Sequence, residues 1–371
     1  VPTTTAPLTT TSVPLTTTVL TTTALTTTAR TTTGATTGTT TTPASTVPAV
    51  SVSPTTIVID GHGWGHGMGM SQWGDYGYAK HGWSYTQILT HYYTGVTVAV
   101  KPEVPVRVLL FDGVRRVTLA SDSPWKVTDA TGAVVALPAG KLLLAADLMI
   151  SGRTLTGPLT FDPGPTPLTV GTRTYHGSVI ATSTGTKLQI VNRLGLEQYV
   201  DGVLGSEVPS TWPAEALKAQ AVAARSYALA ELTTIVTARA YDLFSDTRSQ
   251  EYLGISAETP ATLAAVSATA GQVILSGGQV ATAYYSSSSG GRTESALDAT
   301  GKDIPYLQSV DDPYDTFSPN HNWGPVLVDG ARAAKALGIA GELIDLQTVN
   351  GPTGRVDRKS TRLNSSHTDI S

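Results

Sequence analysis

One carboxylate stands out in the segment of residues 204–229, which reads LGSEVPSTWPAEALKAQAVAARSYAL. The apolar residues 199–204 are predicted to run extended up to Glu207. Pro209 then ends any strand, because proline has no N–H to give to a ladder. The sequence therefore places a single acid, Glu207, on a turn.

Two cations follow this acid on a predicted helix. From residue 214 onward the chain consists almost entirely of strong helix formers. Lys218 and Arg225 lie seven residues apart, so they share one stripe of that helix, roughly 10 Å apart along its axis. This pattern indicates an acid followed by two cations on one side of a helix. Ordinary solvated surface charges are the alternative.

A glycine-rich run, GHGWGHGMGMSQWG at residues 61–74, alternates glycine with His62, Trp64, His66 and Met68. So many glycines exclude an ordinary helix and indicate positive φ angles or close backbone contacts. Two histidines four residues apart suit a metal pair on a helix, and that geometry does not apply in a loop. The run is either a structural loop with packed Trp and His side chains or part of a functional site.

A polar turn, SSSSGGRTESAL at residues 286–297, follows Tyr284 and Tyr285. The two tyrosines predict a buried strand that leads into the turn. Four serines ahead of two glycines could donate several hydrogen bonds, and a flexible loop is the alternative.

Apolar periodicity predicts an α+β fold: a mixed sheet core with a central Ala-rich helix, plus a small inserted β-rich subdomain. Short apolar runs separated by turn signals such as Asp112-Gly113 predict a sheet across residues 104–174. Further helices are predicted at residues 75–80, 84–93, 259–269 and 331–337, the second of them capped by Ser84.

Composition excludes several classes of protein. The chain has 371 residues and a formal net charge of -4, with no basic stripe, so a nucleic-acid partner is not expected. It has no cysteine, so disulfides and thiolate metal sites are impossible. No apolar run is long enough to span a bilayer.

Composition shifts divide the chain. Residues 1–54 are Thr/Pro-rich and predict a disordered extracellular stalk, either O-glycosylated or unmodified. The final residues follow no earlier pattern, resemble translated sequencing-adapter sequence, and predict that the chain continues beyond residue 356. A start without Met or signal peptide predicts a missing N-terminal part. The predicted units are the stalk at 1–54, the Gly/His-rich block at 55–96, the β-rich subdomain at 97–175, the Glu207-bearing domain at 176–356 and the artefact at 357–371.

Several of these motifs together resemble the SpoIID/LytB family of bacterial sporulation and cell-wall proteins. The resemblance covers EQYV at residues 197–200 through Glu207 and the helix EALKAQAVAARSYA. It also covers Asp246-Thr247 with SQEY at 249–252, the SSSSGGRTES turn, and GHGMGMSQWG with ILTHYYTG. One departure is the order of the motifs, because the GHGxGMSQxG block is C-terminal to the acid-bearing helix in the sporulation members. Arg292, where an aromatic often follows the two glycines, is another.

The resemblance implies a lytic transglycosylase that cleaves the bond between N-acetylmuramic acid and N-acetylglucosamine and leaves a 1,6-anhydro end. By motif position, Glu207 is the general acid/base, and Lys218 and Arg225 match helix positions implicated in activity. The expected substrate-binding residues are Lys218, Arg225, Ser287, Ser288, Tyr285, Gln250, Trp73, Gln72 and His66.

A single acid is chemically sufficient for such a reaction. Ordinary glycosidases use two carboxylates, whereas here the sugar's own hydroxyl would attack. Glu207 would have to be protonated near neutral pH, which an apolar pocket favours by raising its pKa. A nearby cation would lower that pKa, so we expect Lys218 and Arg225 to face substrate oxygens rather than Glu207.

The alternative is that the protein is a non-catalytic module that binds glycan in the cell wall and enhances a partner N-acetylmuramoyl-alanine amidase. A weaker alternative is a metal site at His62 and His66, with His91 or His321. The expected partners are peptidoglycan strands and a cell-wall amidase, no cofactor is expected, and the expected location is extracellular or at the cell wall.

Overall fold

The computed structural model describes residues 24–26, 56–234, 239–339, 343–356, 362–365 and 368–370. Within the predicted stalk it describes Ala24–Thr26, and within the predicted artefact Arg362–Ser365 and Thr368–Ile370, each as a strand. The rest of both segments lies outside the described residues. No helix in the described part of the chain combines the length and apolarity needed to cross a membrane.

Helices and strands are both abundant, which confirms the predicted α+β class. The helices are α1 Gln72–Lys80, α2 Tyr85–Tyr92, α3 Leu196–Glu207, α4 Ala214–Thr234, α5 Pro260–Ala268, α6 Ala296–Thr300 and α7 Gly330–Ala336. The strands are β1 Ala24–Thr26, β2 Thr56–His62, β3 Met70–Ser71, β4 Thr97–Val100, β5 Pro105–Val114, β6 Arg116–Ser121, β7 Trp125–Thr128, β8 Val134–Leu137, β9 Gly140–Ala145, β10 Met149–Ile150, β11 Arg153–Thr154, β12 Leu159–Asp162, β13 Leu168–Val170, β14 Arg173–Tyr175, β15 Ser178–Thr184, β16 Lys187–Gly195, β17 Leu243–Phe244, β18 Gln272–Ser276, β19 Gln279–Val280, β20 Tyr285–Ser286, β21 Asn322–Asp329, β22 Leu343–Gln347, β23 Arg362–Ser365 and β24 Thr368–Ile370.

Two sheets share one apolar core. The larger has the strand order β17-β5-β16-β15-β12-β7-β8 and is antiparallel except for the β17–β5 pair. The smaller has the order β14-β13-β6-β9. Inward-facing residues of both sheets, such as Leu119 and Phe161, are fully buried in the same cluster. The larger sheet contains strands from both sides of residue 175, and the predicted domain boundary there stays a prediction.

Helix α4 lies between two apolar clusters, which makes it the central Ala-rich helix that the sequence predicted. Ala221 and Ala224 pack with the sheets, α3 and α5, whereas Ala219 and Ala223 pack with α1, α2 and β18. A helix that is apolar on nearly all sides is buried on nearly all sides.

The extended conformation predicted for residues 199–204 is wrong, because these residues belong to α3. Tyr199, Val200, Val203 and Leu204 repeat at helical spacing and are all fully buried. This periodicity of three and four outweighs the strand propensity of Tyr and Val. Glu207 is therefore the last residue of a helix rather than part of a turn.

The other helix predictions agree with the structure. Ser84 caps α2 in a capping box with Gln87, and Thr259 caps α5 in the same way. The predicted helices at residues 75–80 and 331–337 correspond to α1 and α7.

Candidate functional site

A cleft of about 350 Å³ opens at the end of α3. Five separate stretches of chain line it: the glycine-rich run with the start of α1, the end of α3, the middle of α4, residues 247–249 and residues 284–287. The lining residues are Gly65, His66, Gln72, Glu207, Tyr227, Thr247, Arg248, Ser249, Tyr284, Tyr285, Ser286 and Ser287. The structure thus brings together five of the predicted site residues, namely Glu207, Gln72, His66, Tyr285 and Ser287.

Two glycines of α3 allow the chain after Glu251 to approach the helix that carries Glu207. A Cβ on Gly202 would lie 2.5 Å from the Tyr252 ring, and a Cβ on Gly205 would overlap the Ala257 carbonyl. The Leu253 N–H donates to the Gly202 carbonyl at 3.2 Å. This close approach brings the backbone of Glu251 to the carboxylate of Glu207.

Glu207 lies in a largely buried environment, where a backbone N–H and a side-chain amide contact its carboxyl group. The backbone N–H of Glu251 donates to its Oε1 at 2.8 Å, and Gln72 Nε2 reaches its Oε2 at 3.4 Å. Burial raises the pKa of Glu207 above its usual range, and the hydrogen bond from Glu251 opposes that shift. The contact from Gln72 to Oε2 is much the longer of the two, so we place the acid proton on Oε2.

Tyr285 and Gln250 extend this arrangement into the core. The Tyr285 hydroxyl donates to Gln250 Oε1 at 2.8 Å. Gln250 Nε2 in turn donates to the Tyr199 hydroxyl at 3.2 Å and to the Ala224 carbonyl at 3.3 Å. Gln250 is 1% exposed and does not line the cleft. Gln250 thus bonds Tyr285 from within the core, and its predicted contact with substrate stays a prediction.

The glycine-rich run reaches the cleft because it packs tightly against the serine turn. A Cβ on Gly63 would lie 2.7 Å from the Ser288 carbonyl oxygen, and a Cβ on Gly69 would overlap the Tyr284 carbonyl. Both glycines have φ near +70°, a conformation that side chains rarely adopt. Strand β3 pairs in parallel with β20, so the run enters beside Tyr285. The unusual motif order is thus compatible with a shared cleft.

His66 lines the cleft as a neutral side chain. Its Nδ1 accepts the Met68 N–H at 3.0 Å, and its ring meets Tyr284 edge-on with centroids 6.0 Å apart. Burial lowers the pKa of His66 to about 4, so the ring carries no charge at neutral pH.

Asp315, which the sequence analysis did not single out, joins the serine turn to the glycine-rich run. It is fully buried and accepts hydrogen bonds from five groups. The donors are the Ser71 and Ser288 hydroxyls, the Ser289 and Gly290 N–H groups, and His321 Nδ1. Ser288 is 1% exposed and its hydroxyl donates to Asp315, and its predicted contact with substrate stays a prediction. An acid distant in sequence from its partners gives no sequence signal.

Lys218 and Arg225 are not among the residues that line the cleft, and their predicted contact with substrate stays a prediction. Arg225 is 0% exposed and forms two 2.7 Å hydrogen bonds to Glu197. Lys218 forms an ion pair with Glu215 one turn away, at 2.7 Å. The cation that lines the cleft is Arg248, whose guanidinium also pairs with Asp246.

Trp73 also lies outside the residues that line the cleft. Its ring packs against Trp212 and Tyr76, with centroids 5.1 and 5.6 Å away. Its backbone N–H donates to the Ser287 carbonyl at 3.0 Å, so Trp73 anchors the start of α1 beside the cleft. Trp64 is 56% exposed and does not line the cleft either.

The four histidines considered as metal ligands have different surroundings. His91 Nε2 hydrogen-bonds the Tyr78 hydroxyl and the Asp311 carbonyl, whereas His321 bonds Asp315. Among the described residues, no group of three or more His, Cys, Asp or Glu side chains is arranged to hold a metal ion.

Comparisons with known proteins bear on the same residues. A family model described as Stage II sporulation protein (SpoIID) matches residues 184–275, which include Glu207. The glycine-rich run and the serine turn lie outside this matched stretch.

Three relatives are informative. Stage II sporulation protein D of Bacillus subtilis (strain 168) is 32% identical over 230 residues, covering 54% of this chain and 67% of that protein. The Amidase enhancer of the same organism is 35% identical over 138 residues, covering 37% of this chain and 18% of that protein. An uncharacterized protein of Brachyspira hyodysenteriae (strain ATCC 49526 / WA1) is 37% identical over 136 residues, covering 37% of each chain.

The chain thus spans less than two thirds of two of these relatives and about two thirds of the third. Together with the family match around Glu207, the extent of the similarity to Stage II sporulation protein D confirms the resemblance found in the motifs. The chain belongs to the SpoIID/LytB family.

Proposed function

We propose that the cleft is the active site of a lytic transglycosylase that acts on the glycan strands of peptidoglycan. The observation that carries this proposal is the make-up of the cleft lining around Glu207. Among the described residues that line the cleft, it is the one carboxylate. Hydrolytic glycosidases ordinarily require two carboxyl groups on opposite sides of the scissile bond. A lone acid suits a reaction in which the sugar supplies its own nucleophile.

In the proposed reaction Glu207 acts first as acid and then as base. Its Oε2 proton passes to the bridging oxygen as the bond from that oxygen to C1 of N-acetylmuramic acid breaks. The C6 hydroxyl of the same sugar then attacks C1 and returns its proton to Glu207. The products are a 1,6-anhydro end and a free hydroxyl, so no water is consumed and the acid is regenerated.

The surroundings of Glu207 support this sequence of steps. Burial raises its pKa, which keeps a larger fraction protonated near neutral pH than in an exposed glutamate. The hydrogen bond from the Glu251 N–H at 2.8 Å holds Oε1 and leaves Oε2 for proton transfer. Gln72, Arg248 and Ser287 offer polar groups along the walls for sugar hydroxyl and acetamido groups.

The second candidate function is a cell-wall module that enhances a separate amidase. The relative named Amidase enhancer, 35% identical over 138 residues, favours this reading. Such a module would bind glycan in the same cleft without cleaving it. Both functions imply that the protein acts at the bacterial cell wall, outside the cytoplasm.

The deciding experiment uses purified glycan strands, with and without stem peptides. Mass spectrometry should find 1,6-anhydro ends after incubation with the protein. Glu207→Gln should lower their rate of formation roughly 10²–10⁴-fold, the range for loss of a general acid/base. Glu215→Gln is the matched control, because that carboxylate pairs with Lys218 outside the cleft lining.

Two outcomes would contradict the enzymatic proposal. Unchanged anhydro products in Glu207→Gln would remove Glu207 from the mechanism. An absence of anhydro products, with faster stem-peptide release when a purified cell-wall amidase is added, would establish the enhancer instead.

A further inference from the structure

The orientation of the Gln250 side-chain amide follows from its neighbours alone. Gln250 is buried, and its Nε2 lies 3.3 Å from the Ala224 carbonyl oxygen. A carbonyl oxygen can only accept, so the NH₂ group of Gln250 must face Ala224. The opposite end of the amide, Oε1, therefore faces Tyr285.

This orientation determines where the Tyr285 proton lies. A tyrosine hydroxyl has one hydrogen to donate, and Gln250 Oε1 at 2.8 Å can only accept it. Tyr285 and Glu207 both line the cleft and lie close enough to interact, and a proton donated by Tyr285 would lower the pKa of Glu207. With its hydrogen committed to Gln250, the Tyr285 oxygen presents lone pairs to Glu207.

We propose that Gln250 is a positioning residue that holds the Tyr285 hydroxyl proton away from Glu207, so that the tyrosine oxygen meets Glu207 as an acceptor. A hydrogen-bond donor at that place would stabilise the carboxylate form of Glu207. An acceptor stabilises the protonated form instead. Gln250 thus favours the protonation state that a general acid needs before it can act, and in this sense the inference rests on the proposed function.

Other groups around Glu207 belong to several elements. The neutral tyrosines are Tyr199 on α3, Tyr227 on α4, and Tyr284 and Tyr285 at β20; the remaining groups are His66, Arg248 and Glu251. His66 is neutral at neutral pH. Arg248 is half-exposed and bound to Asp246. Gln250→Met also removes the hydrogen bond from Gln250 Nε2 to the Tyr199 hydroxyl. The same loss occurs in the Tyr285→Phe background, so a difference between the two backgrounds reports on the Tyr285 proton.

The test measures the pKa of Glu207 by ¹³C NMR of carboxyl-labelled glutamate in the full chain, with the signal assigned by Glu207→Gln. Gln250→Met keeps an unbranched side chain of similar length and removes the acceptor. The freed Tyr285 hydroxyl then donates to Glu207, and the pKa of Glu207 should fall by about one unit. The same substitution in a Tyr285→Phe background should leave the pKa unchanged from that of Tyr285→Phe alone.

A purely structural role for Gln250 predicts equal shifts in both backgrounds, and that result would overturn the proposal. Tyr285→Phe alone gives an independent answer if Gln250→Met does not fold. Loss of an acceptor leaves the pKa of Glu207 unchanged or lower, whereas loss of a donor raises it. A raised value in Tyr285→Phe would show that the tyrosine donates to Glu207 and that the inference is wrong.

The titration needs no substrate, so it is separate from the test of the proposed function. The expected shifts without any glycan cleavage would leave the inference standing and remove the enzyme. Glycan cleavage, with the same shift in the pKa of Glu207 in both backgrounds, would support the enzyme and overturn the inference. If the protein cleaves glycan, the basic limb of its pH–rate profile should move to lower pH in Gln250→Met.

Discussion

Substitution of Arg225 by Met should destabilise the protein without weakening substrate binding. Arg225 is 0% exposed and joins α4 to α3 through two 2.7 Å hydrogen bonds to Glu197. A third bond, from its Nη1 to the Gln272 carbonyl at 3.1 Å, joins α4 to β18. Loss of one partner of a buried ion pair costs about 3–5 kcal/mol, because the other charge is left without its counter-ion.

The expected value lies at the lower end of that range. Glu197 is 26% exposed, so water can solvate part of its carboxylate after the substitution. The Gly271 N–H also continues to donate to Glu197 Oε1 at 3.0 Å. We expect a loss of about 3 kcal/mol, which corresponds to a fall in Tm of roughly 6–12 °C for a domain of this size.

Thermal unfolding followed by circular dichroism measures this loss, and Lys218→Met is the matched control. Lys218 is 27% exposed and pairs with Glu215 at i, i+3, a surface pair worth about 0.5 kcal/mol or less. The double variant Arg225→Met/Glu197→Met should recover part of the stability, since no unpaired charge remains.

The affinity for glycan measured below the unfolding transition should be unchanged in Arg225→Met. An unaltered Tm together with weakened glycan binding would refute this reasoning. That result would mean that Arg225 faces the substrate, as the sequence alone suggested.

Two further predictions concern the buried acid Asp312, whose Oδ2 accepts from the Ser289 hydroxyl at 2.7 Å. Burial raises the pKa of Asp312 from 3.8 to about 7, so its contribution to stability is complete below about pH 4 and is lost as pH rises to about 7. Between those pH values the free energy of unfolding of the wild type should fall, relative to that of Asp312→Asn, by up to about 4 kcal/mol, since each unit of pKa shift corresponds to 1.36 kcal/mol. Urea titrations across this pH range measure both free energies, and an identical pH dependence in the two proteins would contradict the prediction. Gly74→Ala should destabilise by about 1–3 kcal/mol in urea titrations despite the better helix propensity of alanine, because its Cβ would overlap Asp312 and the buried Tyr92 hydroxyl. Gly351→Ala is the control, since its Cβ would lie 3.7 Å from the nearest atom, and equal stability of the two alanine variants would contradict the prediction.

Features that depend on contacts within a short segment could be predicted from the sequence. The cap Ser84 predicted the start of its helix, because its hydroxyl bonds an N–H group only three residues away. The alanine-rich run predicted a buried central helix, since small side chains suit close packing on several sides. The motifs around Glu207 predicted the family, which the comparisons confirmed.

The partners that each side chain binds in the folded protein could not be predicted in the same way. Arg225 and Lys218 share a helical stripe in the sequence, yet Arg225 is buried against Glu197 and Lys218 is partly exposed beside Glu215. The difference depends on which elements pack against each side of α4, and periodicity along one helix carries no information about that. The prediction for residues 199–204 was wrong for a related reason. Tyr and Val occur in helices as well as in strands, and the burial of this segment favours the helix.

The sequence by itself determined the helix-forming segments and the glycine-rich loop, because these follow from backbone preferences, and the resemblance of its motifs singled out Glu207. Only the tertiary structure decided that residues 65–72 and 284–287 meet Glu207. Their approach depends on glycines without a Cβ at Gly63 and Gly69 and on the bonds that Asp315 accepts from both segments. Contacts between residues more than 200 positions apart arise from packing of the whole chain, and no local pattern encodes them.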